Sequence, residues 1–407
     1  MAGDLLPVAE ALARVLASVA GPVETETVPI GACAGRTLAA DIAALRTQPP
    51  FANSAMDGYA VRAADVAQVP ARLAVVGESA AGRGFRGTVG AGEAVRIFTG
   101  APLPAGADAV VIQEDTEAAD SAVLVHEPSG PGRHVRAAGL DFAEGDRLLT
   151  AGTRLDPRRV ALAAAGGHAA LPVRRRPRVA ILATGDELVR PGEPAGPDQI
   201  VASNGLALAA IAEAAGAEAI DLGIAGDSFP ALEAAFAEAR AQGADLLVTL
   251  GGASVGEHDL VQSALRAQGL DLGFWRVALR PGKPLMHGRL GPMLVLGLPG
   301  NPVSSIVCGH LFVVPAIRAL AGDADAGADR SEPARLGADL KTNDGRQDYV
   351  RARLAFDADR TPVATAAARQ DSSMLSTLAA CDALIIRPPH AAAARAGDPC
   401  RILRLDR

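Results

Sequence analysis

The chain has 407 residues, a formal net charge of −7, and a hydrophobic content of 49% with only 3% aromatic. At about 100–200 residues per domain, this length implies two to four domains and enough core to need no stapling metal or disulfide. The acidic balance excludes a nucleic-acid partner, whose phosphates demand a basic face, and without a run of ~18 apolar residues no membrane span is expected.

The N-terminus, MAGDLLPVAEALARVLA, lacks a basic leader and carries Leu6, Ala9, Leu12, Ala13 and Leu16 at helical spacing. It reads as an amphipathic helix over 5–19 rather than a secretion signal. From 21 to 152, Gly and Pro punctuate short Val-rich runs at Leu73–Val76, Ala109–Ile112 and Val123–Val125, so this region is expected to be β-rich. Asp156-Pro157 marks a helix start, with Pro at the first helical position, and Gly166-Gly167 its end.

A different rhythm begins at Arg178. Val179–Ala183 reads as a strand, and Ser203 as the cap of a helix that stops at Gly216. Ala219–Leu222 is a strand, 228–242 a helix ended by Gly243, and Leu246–Leu250 a third strand. A helix over 260–268, strands at 274–279 and 293–298, and a helix from 302 to 320 complete the pattern. Such alternation implies a parallel sheet wound with helices on both faces, with ligands at the carboxyl ends of its strands. The stretch 321–333 is polar and reads as a linker. Beyond it, Val350, Ala352, Leu354 and Phe356 alternate with Arg351 and Arg353, which predicts a half-buried strand with the arginines on its wet face. With Asp382–Arg387 and Arg401–Leu405 as further strands, a small C-terminal β-barrel is expected.

The chemistry-bearing residues fall where strands end. Thr184–Glu187 reads T-G-D-E, Gly251–Asp259 reads G-G-A-S-V-G-E-H-D, and Gly297–Ser304 reads G-L-P-G-N-P-V-S. Glycines there let backbone N–H groups approach a ligand, and a following helix N-terminus favours anions. Each loop alone is equally an ordinary tight turn. Asp227 and Asp259 each precede a helix and so admit a capping role. Together with Asp186 and Glu187 they converge on one rim, where hard oxygen ligands suit Mg²⁺. A strand from 274 to 280 would place Arg276 and Arg280 on one face, leading to Lys283 in P-G-K-P; a solvated edge strand is the alternative. Lys283 and Lys341 are the only lysines among 39 basic residues. Cys33, Cys308, Cys381 and Cys400 form no CxxC pair and suit a reducing, cytoplasmic compartment.

Phe51–Ala60 (F-A-N-S-A-M-D-G-Y-A), Phe98–Val111 (F-T-G-A-P-L-P-A-G-A-D-A-V-V) and the G-x-D-F…G-D stretch from Gly139 to Asp146 resemble segments of the molybdopterin molybdenumtransferase family. P-R-V-A-I-L-x-T-G-D-E-L, G-G-x-S-V-G-E-x-D, R-P-G-K-P and G-L-P-G-N-P-V-S are similar to that family's elements, in order, over about two thirds of the chain. The resemblance implies a multidomain protein. Its parts would be a discontinuous linking domain (1–50 and 138–177), a β-rich domain (51–137), an α/β molybdopterin-binding domain (178–320), a linker (321–333) and a C-terminal β-barrel (334–407). It implies a homodimer with active sites shared between the α/β domain of one subunit and the β-rich domain of the other.

By the same resemblance the catalytic set is Asp57, Thr99, Asp141, Glu187, Asp227 and Asp259, with Glu187, Asp227 and Asp259 holding Mg²⁺. Substrate binding would involve Gly251, Gly252, Ser254, Gly256, Arg276, Arg280, Lys283, Pro299, Asn301, Pro302, Arg351 and Ser372. Arg276 and Arg280 stand where lysine is common in relatives, and Ser373 is an alternative to Ser372. The implied reaction joins molybdate to adenylated molybdopterin with release of AMP. Transient contacts with a molybdopterin adenylyltransferase and with acceptor molybdoenzymes are implied too. Two rivals stand beside this reading. A molybdopterin adenylyltransferase shares the wound domain but not the N-S-A-M-D-G-Y-A segment or the barrel, and a non-catalytic scaffold would not need the full carboxylate set.

Overall fold

The computed structural model of the chain describes residues 5–251 and 260–405. At its centre lies a six-stranded sheet, in the order Glu218–Ala225, Arg178–Thr184, Leu246–Leu250, Met293–Leu298, Met286–Leu290 and Asp271–Trp275. The first four strands are parallel, and the last two run as antiparallel neighbours. The period-two alternation of buried strands shows why both faces need helices. Val179, Ile181, Leu246 and Val248 pack with Leu208, Val303 and Phe312 on one side. Ala180, Leu182, Leu247 and Val295 pack with Leu232, Phe236 and Leu265 on the other. The N-terminal helix Val8–Ala17 adds Val8, Ala11 and Val15 to the first of these cores.

Several sequence expectations are corrected here. No continuous strand spans 274–280: the strand ends at Trp275, Arg276 has φ +93°, and Leu279–Arg280 joins the C-terminal sheet beside Gln347–Asp348. Period two therefore does not relate Arg276 to Arg280. The strand Met286–Leu290 is not legible in the sequence because His287, Gly288 and Arg289 interrupt its apolar pattern ahead of the Gly291-Pro292 turn. Ser203 precedes the helix Asn204–Ala215 but forms no side-chain cap. Asp227 is not a cap either, since Ser228 caps Phe229–Ala241 by accepting from the Ala231 N–H at 3.4 Å. The helical stretch Pro302–Leu320 is long and apolar enough to cross a membrane by length and composition. It is 67% buried inside the protein, as a core helix is.

Before the central sheet, the strand Thr25–Pro29 pairs antiparallel with Ala170–Arg174, so the chain leaves and returns at one place. A core of Cys33, Leu38, Ile42, Leu149, Leu155, Leu171 and Val173 holds that junction, and the helix Pro157–Ala165 packs on it. Asp156 caps this helix by accepting from the Arg159 N–H at 2.9 Å. Between exit and return lies a six-stranded sheet in the order Ala109–Ile112, Gly58–Val61, Glu93–Ile97, Ala71–Ser79, Ala122–Val125, Thr116–Ala119. Gly58 is obligatory there, because a Cβ would lie 1.9 Å from the Val111 carbonyl oxygen.

The C-terminal region closes a five-stranded barrel. Gln347–Phe356 pairs with Pro362–Ala366, then Glu332–Leu336, Pro399–Arg404 and Ala383–Arg387, which returns to Gln347–Phe356. Here the alternation expected around Arg351 fails. Tyr349, Val350, Arg351 and Ala352 are all buried, because Val350 and Ala352 face the barrel core while Tyr349, on the other face, packs with Leu378 into the core of the central sheet.

Candidate functional site

Strands Arg178–Thr184, Leu246–Leu250 and Met293–Leu298 end side by side, and beyond their carboxyl ends opens a cleft of about 570 Å³. Parallel strands feeding separate helices leave such a crevice where their loops part. Gly251 forms its floor at φ +101°, and a Cβ there would sit 2.7 Å from the Thr184 carbonyl oxygen, so only glycine fits. Gly252, Ser254, Gly256 and Asp259 lie outside the described residues.

Glu187 and Asp227 line the cleft, with Pro299, Asn301 and Pro302 opposite. The Asp186 carboxylate accepts the Asp227 backbone N–H at 3.0 Å. With Ser228 doing the capping, the Asp227 side chain is left to the cleft. Two open carboxylates with hard oxygens fit a divalent cation. Among the described residues no third His, Cys, Asp or Glu joins them. Asn204, which sequence reasoning passed over, also lines the cleft and donates from Nδ2 to the Gly300 carbonyl at 2.6 Å. Its only sequence signal was its place just after Ser203, at the start of a helix.

The barrel reaches this cleft through Ser372. Its hydroxyl accepts from Asn301 Nδ2 at 3.0 Å, and its carbonyl accepts from the Val303 N–H at 3.1 Å. Ser373 turns away, donating to Asp371 at 2.6 Å. One residue behind the clamp, the Asp371 carboxylate lies within electrostatic reach of Arg351. Arg351 is 1% exposed, and none of its three guanidinium nitrogens has a hydrogen-bond partner among the described residues. Burial lowers its pKa, against the pull of Cys381, Asp348 and Asp371. A buried cation without a counter-ion is costly unless something binds it.

The other cations do not form one face. Arg280 donates to Asp344 at 3.1 Å, to Asn343 at 2.9 Å and to Asp348, so its charge is already balanced, and the Asp348 bond raises its pKa. Arg276 stacks on the Trp275 ring at 4.6 Å, and its buried Nε has no hydrogen-bond partner among the described residues. Lys283 is exposed, without a side-chain partner among the described residues.

Asp57 and Thr99 form a separate pair on the β-rich sheet. Asp57 accepts from the Thr99 N–H at 2.7 Å and its hydroxyl at 2.8 Å, which holds the carboxyl below its ordinary range. Neither lines the cleft of its own chain. Arg96 stands beside them, stacked between Tyr59 and Phe98. Asp141 is exposed, and its N–H donates to the Gln48 carbonyl at 3.0 Å. Around these polar groups Phe51, Met56 and Leu140 are 45%, 40% and 64% exposed.

Three family profiles match the chain in order. They are the MoeA N-terminal region (domain I and II) over residues 6–167, a probable molybdopterin binding domain over 180–319, and the MoeA C-terminal region (domain IV) over 333–405. A molybdopterin molybdenumtransferase of Haemophilus influenzae is 38% identical over 348 residues, 85% of each chain. One from Bacillus subtilis is 37% identical, covering 94% of this chain and 90% of its own. The crystal structure of the molybdopterin biosynthesis moeA protein from Pyrococcus horikoshii superposes with a TM-score of 0.85 at 29% identity, over 98% of this chain and 99% of that one.

Proposed function

The chain belongs to the molybdopterin molybdenumtransferase family, transferases of molybdenum cofactor biosynthesis, and from that premise we propose that it inserts molybdenum from molybdate into adenylated molybdopterin with Mg²⁺-dependent release of AMP. One observation carries the finer reading. The cleft is lined by the Glu187 and Asp227 carboxylates, and the Ser372 segment clamped to its Asn301 neighbours Arg351, a buried guanidinium without a hydrogen-bond partner among the described residues. Such a polarity suits a substrate pair with a metal-bound anhydride at one end and an oxyanion at the other.

In this reading Glu187 and Asp227, joined by Asp259, hold Mg²⁺. When bound, the ion supplies charge neutralisation at the phosphoanhydride that is broken. Asp186 holds the Asp227 backbone so that the carboxylate faces the cleft. Gly251 and its following loop offer backbone N–H groups to phosphate, with Pro299, Asn301 and Pro302 shaping the opposite wall. Arg351, Ser372, Lys283 and Arg276 receive molybdate and the anionic pterin side. Asp57, Thr99 and Asp141 act across a homodimer, closing the cleft of the partner subunit. This accounts for a preorganised Asp57–Thr99 pair ringed by exposed apolar side chains yet remote from its own chain's cleft. The four parts proposed above, with the linking domain split at 1–50 and 138–177, serve that arrangement. The four free thiols suit the cytoplasm.

The test is direct. Purified protein incubated with adenylated molybdopterin, molybdate and Mg²⁺ is expected to release AMP and to yield cofactor that activates an apo-molybdoenzyme. AMP release at the rate of a protein-free blank would overturn the proposal.

A further inference from the structure

Asn204 is the first residue of the helix Asn204–Ala215, and the next residue, Gly205, lies over Ile181 and Leu250 of the central sheet. The Asn204 side chain reaches a loop 96 positions further along the chain, where Nδ2 donates to the Gly300 carbonyl at 2.6 Å. Only the amide nitrogen can meet a carbonyl oxygen at that distance, so an aspartate of the same size cannot replace it.

Gly300 lies against the floor of the strand-end cleft, since a Cβ on it would stand 3.7 Å from the Gly251 Cα. With Pro299, Asn301 and Pro302 it lines that cleft. Both prolines lack an N–H, so Gly300 and Asn301 supply the loop's only backbone donors. Neither donor is hydrogen-bonded among the described residues. Asn301 carries the connection onward, donating from Nδ2 to the Ser372 hydroxyl at 3.0 Å, while the Val303 N–H donates to the Ser372 carbonyl at 3.1 Å. Helix, loop and barrel are thus joined in one hydrogen-bonded line, whose first three members line the cleft.

The Gly300 carbonyl and the Asn301 N–H belong to one planar trans peptide and point in opposite directions. Fixing the carbonyl therefore fixes the N–H. Gly300 has no Cβ to resist rotation of that unit. Turned over, the loop would present a carbonyl oxygen where the N–H now stands, and a carbonyl repels the oxyanion that an N–H attracts. Water can satisfy the carbonyl of an exposed glycine, so solvation alone gives Asn204 no task there.

We propose that Asn204 is a positioning residue of the strand-end cleft. By holding the Gly300 carbonyl it selects one orientation of the Gly300–Asn301 peptide, and through Asn301 it sets where Ser372 meets an oxyanion. That role rests on Ser372 receiving molybdate, as in the function proposed for the cleft.

The experiment compares the full chain with Asn204→Ala and Asn204→Asp, by hydrogen exchange and by molybdate titration at fixed ionic strength. Aspartate in a first helical turn is favourable, so the second variant keeps the helix even where alanine loosens it. Both variants are expected to exchange faster at the Val303 and Ser305 amides and in the segment around Ser372, with the helix beyond its first turn unaltered. Molybdate binding should weaken about tenfold in Asn204→Ala, and further in Asn204→Asp, whose carboxylate repels both the Gly300 carbonyl and the anion. Melting temperature should fall slightly in the alanine variant and hold in the aspartate variant, so that affinity and stability part company. A merely structural Asn204 gives affinities that follow the melting temperature. Unaltered exchange at Val303 in both variants overturns the proposal, and so does molybdate affinity retained by both. A wild-type chain that releases no AMP sinks the proposed reaction instead, while exchange at Val303 still decides the role of Asn204.

Discussion

Arg351 and Asp227 make opposite use of burial, and each yields a prediction. Arg351 is a buried cation without a hydrogen-bond partner among the described residues, so Arg351→Met, which keeps length and removes charge, should leave stability unchanged or raise it. The same variant should lose oxyanion binding by tenfold or more; a large fall in melting temperature with normal molybdate binding would show that the guanidinium serves the fold alone. Asp227 and its neighbour separate two roles that the sequence left tangled. Ser228→Ala should cost about 0.5–2 kcal/mol through the lost cap while turnover persists. Asp227→Ala should keep its melting temperature within a degree or two yet release no AMP. His287 adds a pH dependence. It is 2% exposed, bonded to Ser18 Oγ at 2.9 Å, and burial pushes its pKa from the ordinary 6.5 down to about 4. Between those values the unfolded chain binds a proton that the folded chain refuses, so stability rises with pH across this window. On acidification the stability should fall from pH 6.5 to 4, by a few kcal/mol at most from this group. Urea unfolding over that range, with His287→Gln flattening the slope, checks it.

Among the elements, the segment from Trp275 to Met286 is where the linear reading failed. A run of apolar and basic residues looks like one strand, yet the chain turns at Arg276 and gives Leu279–Arg280 to a different sheet. Arg280 then becomes a joint between the α/β region and the barrel through Asp344 and Asp348. With its side chain 40% exposed, Arg280→Ala should cost about 1 kcal/mol or less and change oxyanion affinity little. Lys283, exposed and unpaired among the described residues, should behave in the reverse sense. Lys283→Ala is expected to weaken molybdate binding about tenfold at unchanged stability, and Lys283→Arg to recover part of that loss. Equal affinities for all three proteins in a molybdate titration would place the anion away from this turn.

At the scale of the whole molecule, the Asp57–Thr99 pair and the Glu187–Asp227 cleft sit on separate sheets of one chain. If the partner completes the site, Asp57→Asn and Asp227→Ala are each inactive as homodimers. After subunit exchange the mixture should regain activity, since half of the composite sites in a heterodimer pair two intact halves. Mixtures as inactive as either parent would sink the shared-site reading. The exposed Phe51, Met56 and Leu140 should lose most of their accessibility in that dimer, readable as protection in hydrogen exchange of the adjoining backbone.

Local sequence determined what depends on neighbours a few residues apart. Hydrophobic periodicity placed the strands Arg178–Thr184 and Leu246–Leu250, Gly216 and Gly243 ended helices, and Asp156-Pro157 started one. The glycine loops, T-G-D-E and G-N-P-V-S motifs likewise mark the strand-end cleft, because a parallel sheet must open there. Tertiary structure alone decided whatever depends on distant closure. Arg351 alternates with apolar neighbours and reads as solvent-facing, but the strand is buried on both faces, with Val350 in the barrel core and Tyr349 in the core of the central sheet, and Arg351 is 1% exposed. Ser228 and Asp227 are equally good caps on paper; Asp186, 41 positions earlier, takes the Asp227 N–H and assigns the cap to Ser228. The cations at 276, 280 and 283 lie close in sequence, but a turn and a second sheet give Arg276 to Trp275 and Arg280 to Asp344 and Asp348. Burial and pairing are set by what the chain brings back from far away, and no local period encodes that.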